Sequence, residues 1–77
     1  MKLREARINK LLSVMALAKQ AGVSYKTALN IEKGMVAPTL TTIGKLVAVL
    51  EVEPREIDEF RQVMERQLGT EGKRGGE

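Results

Sequence analysis

The chain has 77 residues, enough for one domain but not for a second core, and a domain this small buries only about 60% of the surface its unfolded chain exposes. It contains no cysteine and no histidine, which excludes disulfides, thiolate metal sites and the usual zinc ligands. The net charge of +3 divides unevenly: residues 1–50 hold eight Lys or Arg against two Glu, and residues 51–77 hold five against eight Asp or Glu.

Helical periodicity dominates, and strand alternation is nearly absent. Leu3, Arg7, Ile8 and Leu11 predict a first helix from about Lys2 to Lys10. Ser13 is a good N-cap for a second helix that turns Leu17, Ala18 and Ala21 inward. Gly22 ends it, because glycine accepts the left-handed conformation at no steric cost. Ser24 then caps a third helix, roughly Tyr25 to Lys33, which Gly34 closes in the same way. Met35-Val36-Ala37-Pro38 reads as a loop, since Pro38 disfavours a helical residue before it. Met35 and Val36 are expected to fold back on the core, with an outward contact, to a ligand or a protein, as the alternative.

Thr39 caps a fourth helix carrying Leu40, Ile43, Leu46, Val47 and Leu50 at helical spacing. Pro54 sits in the first turn of a fifth, where its missing N–H costs nothing. This helix, 54–67, carries Ile57, Phe60, Val63, Met64 and Leu68 as its apolar positions. The folded unit is thus expected to span 1–68. Residues 69–77 (GTEGKRGGE) have no apolar side chain and four glycines, so a disordered tail is expected there.

General acid–base and nucleophilic sites draw mainly on residue types that are scarce or missing here. Glu56, Asp58 and Glu59 read as a solvated helix face and not as a carboxylate pair. Neither catalysis nor a cofactor or metal is expected. No apolar run approaches the roughly 18 residues of a membrane span, so a cytoplasmic protein without membrane contact is the default. A basic front joined to an acidic back suits a chain that turns one side toward a polyanion.

Residues 14–33 carry the most specific signal. Two short helices joined by three residues around a glycine form the unit of a helix-turn-helix. Its helices cross steeply, so their contact needs small or apolar residues. Ala18 stands at that approach, Gly22 in the turn and Val23 after it, with Leu17, Ala21, Ala28 and Ile31 on the inner face.

The segments Leu3-Arg4-Glu5, Leu17-Ala18-Lys19-Gln20-Ala21-Gly22-Val23-Ser24, Ile31-Glu32-Lys33-Gly34 and Pro38-Thr39-Leu40 closely resemble the lambda-type phage repressor and Cro family. The likeness continues through Lys45-Leu46 and Leu50-Glu51-Val52 and covers about residues 3–60. It implies an all-α, compact five-helix lambda-repressor-like domain that acts as a homodimer on double-stranded DNA. Carried over position by position, it places the third helix in the major groove, with Ser24, Tyr25, Lys26, Thr27 and Asn30 at the DNA. Lys26 can donate to guanine O6 and N7, and Asn30 can pair with adenine N6 and N7. Ser24 and Thr27 are better suited to phosphates, and Tyr25 to a thymine methyl or a phosphate.

The resemblance also implies that Arg7 and Glu32 form a structural pair joining the first helix to the end of the third. The chain departs from the family where glutamine usually opens the second helix, since Val14 stands there. The loop after the third helix is apolar where the family is often basic or polar. Val63, Met64 and Leu68 continue an apolar seam beyond Phe60, which is expected to form a symmetric dimer contact or to fold back on its own domain. Three functions stay open: a sequence-specific regulator, foremost a repressor; the antitoxin of a toxin–antitoxin pair, with a protein partner besides DNA; and an interaction-only relative without DNA affinity.

Overall fold

The computed structural model describes the backbone of residues 1–75 and the side chains of residues 1–68. It contains α1 (Leu3–Asn9), α2 (Val14–Ala21), α3 (Tyr25–Glu32), α4 (Leu40–Leu50), a 3-10 turn (Pro54–Glu56) and α5 (Asp58–Gly75). There is no strand among the described residues.

Three helices begin on hydroxyl caps. The side chains of Ser13, Ser24 and Thr39 accept from the N–H three residues on, at Ala16 (3.0 Å), Thr27 (3.0 Å) and Thr42 (3.2 Å). Each hydroxyl satisfies a donor that the helix itself leaves unpaired. The helix ends are as well defined. After α2, Gly22 N–H bonds the Lys19 carbonyl and Val23 N–H the Ala18 carbonyl. After α3, Gly34 and Met35 repeat the pattern on Ile31 and Asn30. Both glycines stand at φ 75°, the left-handed state that this closure requires. α1 ends in the same pattern, with Leu11 N–H on Ile8 and Leu12 N–H on Arg7, but here a leucine takes the left-handed position at φ 60°.

Packing closes around one core. Leu3, Ala6, Leu17, Ile31, Ile43, Leu46, Leu50, Ile57 and Phe60 are each 2% exposed or less. Burying a side chain of leucine or phenylalanine size stabilises by about 1.5–3 kcal/mol, so these positions hold the five helices together. Ala18 and Ala28 are also buried, and their small side chains let α2 and α3 approach closely. The chain start is tied to α5: Asp58 N–H bonds the Met1 carbonyl (2.7 Å) and Leu3 N–H bonds Glu59 Oε1 (2.8 Å).

Four features differ from the sequence reading. The expected helix from Pro54 is two elements, because Ile57 takes an extended conformation (φ −97°, ψ 120°) that delivers its side chain to the core. Met35 and Val36 do not fold back; they stay 68% and 47% exposed while Pro38 behind them is buried. Ile8 and Leu11, aligned with the apolar face of α1 in the sequence, are 43% and 92% exposed. Backbone helix continues to Gly75, past the expected end near Gln67, as no proline interrupts it. Of the disordered tail expected over 69–77, the backbone is described to Gly75, and residues 76–77 and the side chains from 69 on lie outside the described residues.

A two-pronged ion pair joins α1 to the end of α3. Arg7 Nε donates to Glu32 Oε2 (2.9 Å) and a terminal nitrogen donates to Glu32 Oε1 (2.7 Å). The other terminal nitrogen donates to the Leu12 carbonyl (2.8 Å). The two side chains are only 11% and 9% exposed. The hydrogen bond that Arg7 donates to Glu32 raises the Arg7 pKa, against the lowering effect of burial, so the guanidinium stays charged. On the surface, Lys10 pairs with Glu51, and this hydrogen bond lowers the Glu51 pKa. What that pair contributes is present above the ordinary carboxylate pKa and is lost as pH falls through the lowered one. Both partners are solvent-facing, so the effect is small.

Removing one partner of a buried ion pair costs about 3–5 kcal/mol, against about 0–1 for an exposed pair. Arg7→Ala is therefore expected to destabilise by about 3 kcal/mol in denaturant titration; a midpoint close to wild type contradicts the clamp. The glycines give a paired test, because a Cβ at Gly22 or at Gly44 meets nothing within 4 Å. Gly44 lies inside α4 without a left-handed φ, so Gly44→Ala is expected to stabilise by about 0.5–1 kcal/mol. Gly22→Ala, with the same open space, is expected to destabilise by about 1 kcal/mol through its φ alone.

Candidate nucleic-acid interface

α3 is held on three sides. Ala28 and Ile31 fix it to the core, the Ser24 cap fixes its first turn, and Glu32 at its end is gripped by Arg7. With 3.6 residues per turn, Lys26, Leu29, Asn30 and Lys33 fall on the side opposite Ala28 and Ile31, and Tyr25 stands on its flank in the first turn. Tyr25 is 47% exposed, Lys26 and Lys33 are exposed, and Leu29 and Asn30 are half-buried. The helix thus presents a phenol, two ammonium groups and an amide from a fixed frame.

The five residues expected at DNA divide by what they do within the fold. Lys26 and Asn30 share the outer face, with Tyr25 at its edge. The Ser24 hydroxyl is engaged in the cap, accepting from Thr27 N–H and donating to Thr27 Oγ1 at 2.7 Å. The two hydroxyls thus share one hydrogen bond, which leaves one of their two protons free to donate outward. Lys33 is the residue that sequence reasoning missed. It stands seven positions, two helical turns, beyond Lys26, and that spacing was the available signal.

Electrostatics favour an anionic ligand on this side. Among residues 14–34 the one carboxylate is Glu32, and Arg7 neutralises it. Among the described residues, neither Lys26 nor Lys33 enters an ion pair, so both charges face solvent. α2 offers less. Val14 is half-buried, Met15 is 63% exposed, and neither supplies the amide that a glutamine would bring to a phosphate. The N–H groups of the first α2 turn remain as donors there, apart from that of Ala16, which Ser13 takes.

Arg7 and Glu32 are brought together, as described above. The three positions expected at a dimer contact are not on one side of α5. Val63 packs against the core, Met64 is half-buried, and Leu68 is 43% exposed on the flank away from Val63. No helix among the described residues is long and apolar enough to cross a membrane.

Comparison with curated proteins and with solved structures returns no match. Comparison with protein families returns the Helix-turn-helix model over residues 3–57, from the first residue of α1 to the extended Ile57 that precedes α5. Five helices in this order, the capped pair α2–α3 and that match over most of the chain agree: the chain belongs to the helix-turn-helix family of lambda-type repressors and Cro, a family of DNA-binding regulators.

Proposed function

We propose that this chain is a sequence-specific transcriptional repressor that binds a partly palindromic operator as a homodimer. The observation that carries the reading is the outer face of α3, with Tyr25, Lys26 and Asn30 presented together from a helix fixed at both ends. Lys26 and Asn30 have the donor and acceptor groups that distinguish guanine and adenine in the major groove. Lys33 extends the same face and suits a phosphate. Repression is the economical mode for a domain this size, since occupancy of an operator blocks polymerase without a further surface.

The dimer reading rests on α5, where the half-buried Met64 and the exposed Leu68 follow Val63 beyond what one core uses. A two-fold dimer would set the α3 helices of its copies on half-sites about 34 Å apart. The reading is tested by fluorescence titration against the DNA upstream of the chain's own gene and against random DNA of equal length. Specific binding is expected, with affinity falling steeply as salt rises through counterion release. Equal affinity for both DNAs at every salt concentration rejects it. Lys26→Ala or Asn30→Ala is expected to reduce discrimination between bases by about 1–3 kcal/mol per contact. Lys33→Ala is expected to weaken all sequences alike and to lower the salt slope by about one unit.

A further inference from the structure

Leu29 is the side chain of α3 whose place neither the core nor the base contacts named above account for. It is half-buried, yet it is not among the half-buried apolar side chains that pack against the core. With 3.6 residues per turn, Lys26 and Lys33 run along the middle of the outer face, with Leu29 on one side of that line and Asn30 on the other. Tyr25 stands four residues before Leu29, the spacing at which a tyrosine and a leucine pair on a helix surface. One edge of the face is therefore apolar, and the other carries an amide.

The surroundings of Leu29 suit a polyanion. Among the described residues Lys26 and Lys33 enter no ion pair, and Glu32, three positions after Leu29, is held by Arg7. A leucine pressed onto polar groups of such a ligand strips their water and returns no hydrogen bond. The major groove of DNA offers it one apolar group. Guanine presents N7 and O6 there, adenine N7 and the N6 amine, and cytosine the N4 amine; thymine alone adds a C5 methyl to its O4.

We propose that Leu29 selects thymine through that methyl group, so that α3 reads a pyrimidine by apolar contact besides purines by hydrogen bonds. The inference rests on the reading of DNA by the outer face of α3 and adds a specificity-determining residue to it. Leu29 discriminates in both directions. On thymine it buries the methyl, and on any other base it covers a polar edge without a partner, which penalises the wrong sequence. Tyr25 borders the same edge from the first turn, so the methyl meets apolar surface on two sides. Lys26 and Lys33 hold the helix against the polyanion without competing for this group.

The test takes the highest-affinity site selected from random double-stranded DNA and replaces its thymines one at a time with deoxyuridine. That change keeps the base pair and its hydrogen-bonding groups and removes only the methyl. Affinity is read by fluorescence titration with the full chain, and folding of each variant by circular dichroism. At one thymine position of the recognised sequence, the wild type is expected to lose about fourfold in affinity per methyl removed. Leu29→Ala is expected to bind thymine and deoxyuridine equally at that position and to keep the wild-type response at the others. Leu29→Met, of similar volume and still apolar, is expected to retain most of the preference. A wild type indifferent to every deoxyuridine, a selected site without thymine, or a Leu29→Ala chain that keeps the full preference overturns this role for Leu29 and leaves sequence reading by α3 standing. Failure to select any site over random DNA overturns both.

Discussion

The grip of Arg7 on Glu32 is the contact on which the rest of the molecule depends. One guanidinium spends its donors on the carboxylate that ends α3 and on the Leu12 carbonyl in the turn between α1 and α2. Three elements are thereby fixed by a single planar group. Lysine, with a point charge and no fork, cannot make the same set of bonds. Its consequence is functional as much as structural, because α3 is only eight residues long and the pair adds a fixed end to the hold of Ala28 and Ile31 on the core.

The pair also shapes the field of the surface. Glu32 is the one acid in the α2–α3 unit, and its negative charge is cancelled from behind. The exposed ammonium groups of Lys26 and Lys33 then act without opposition. This compensates in part for what α2 lacks at Val14 and for an apolar loop where cations are usual. A surface this lightly charged favours discrimination by shape and base contact over bulk attraction to the phosphates.

Much of this was legible in the sequence because the chemistry is local. Ser13, Ser24 and Thr39 announce helix starts through a hydroxyl that can reach one N–H, and Gly22 and Gly34 announce helix ends through a backbone state few residues tolerate. The outer face of α3 follows from helical period once those ends are known. The remainder depends on tertiary contact. Leu11 and Glu51 adopt left-handed backbone without any residue preference to betray it. Ile57 breaks the expected helix because its side chain is needed in the core. The exposure of Ile8, Met35 and Val36 follows from where other elements lie, which no period within a segment encodes. Lys33 was overlooked at the end of its helix, although its register with Lys26 was plain.

The central claim is that the outer face of α3 reads DNA sequence. Selection of bound sites from a random double-stranded DNA pool tests it most directly, because it assumes no operator. The account predicts enrichment of one motif, repeated in inverted orientation about one helical turn apart, and loss of base preference at defined positions when the Lys26→Ala chain is used. A pool that stays random after repeated selection at low salt would contradict it.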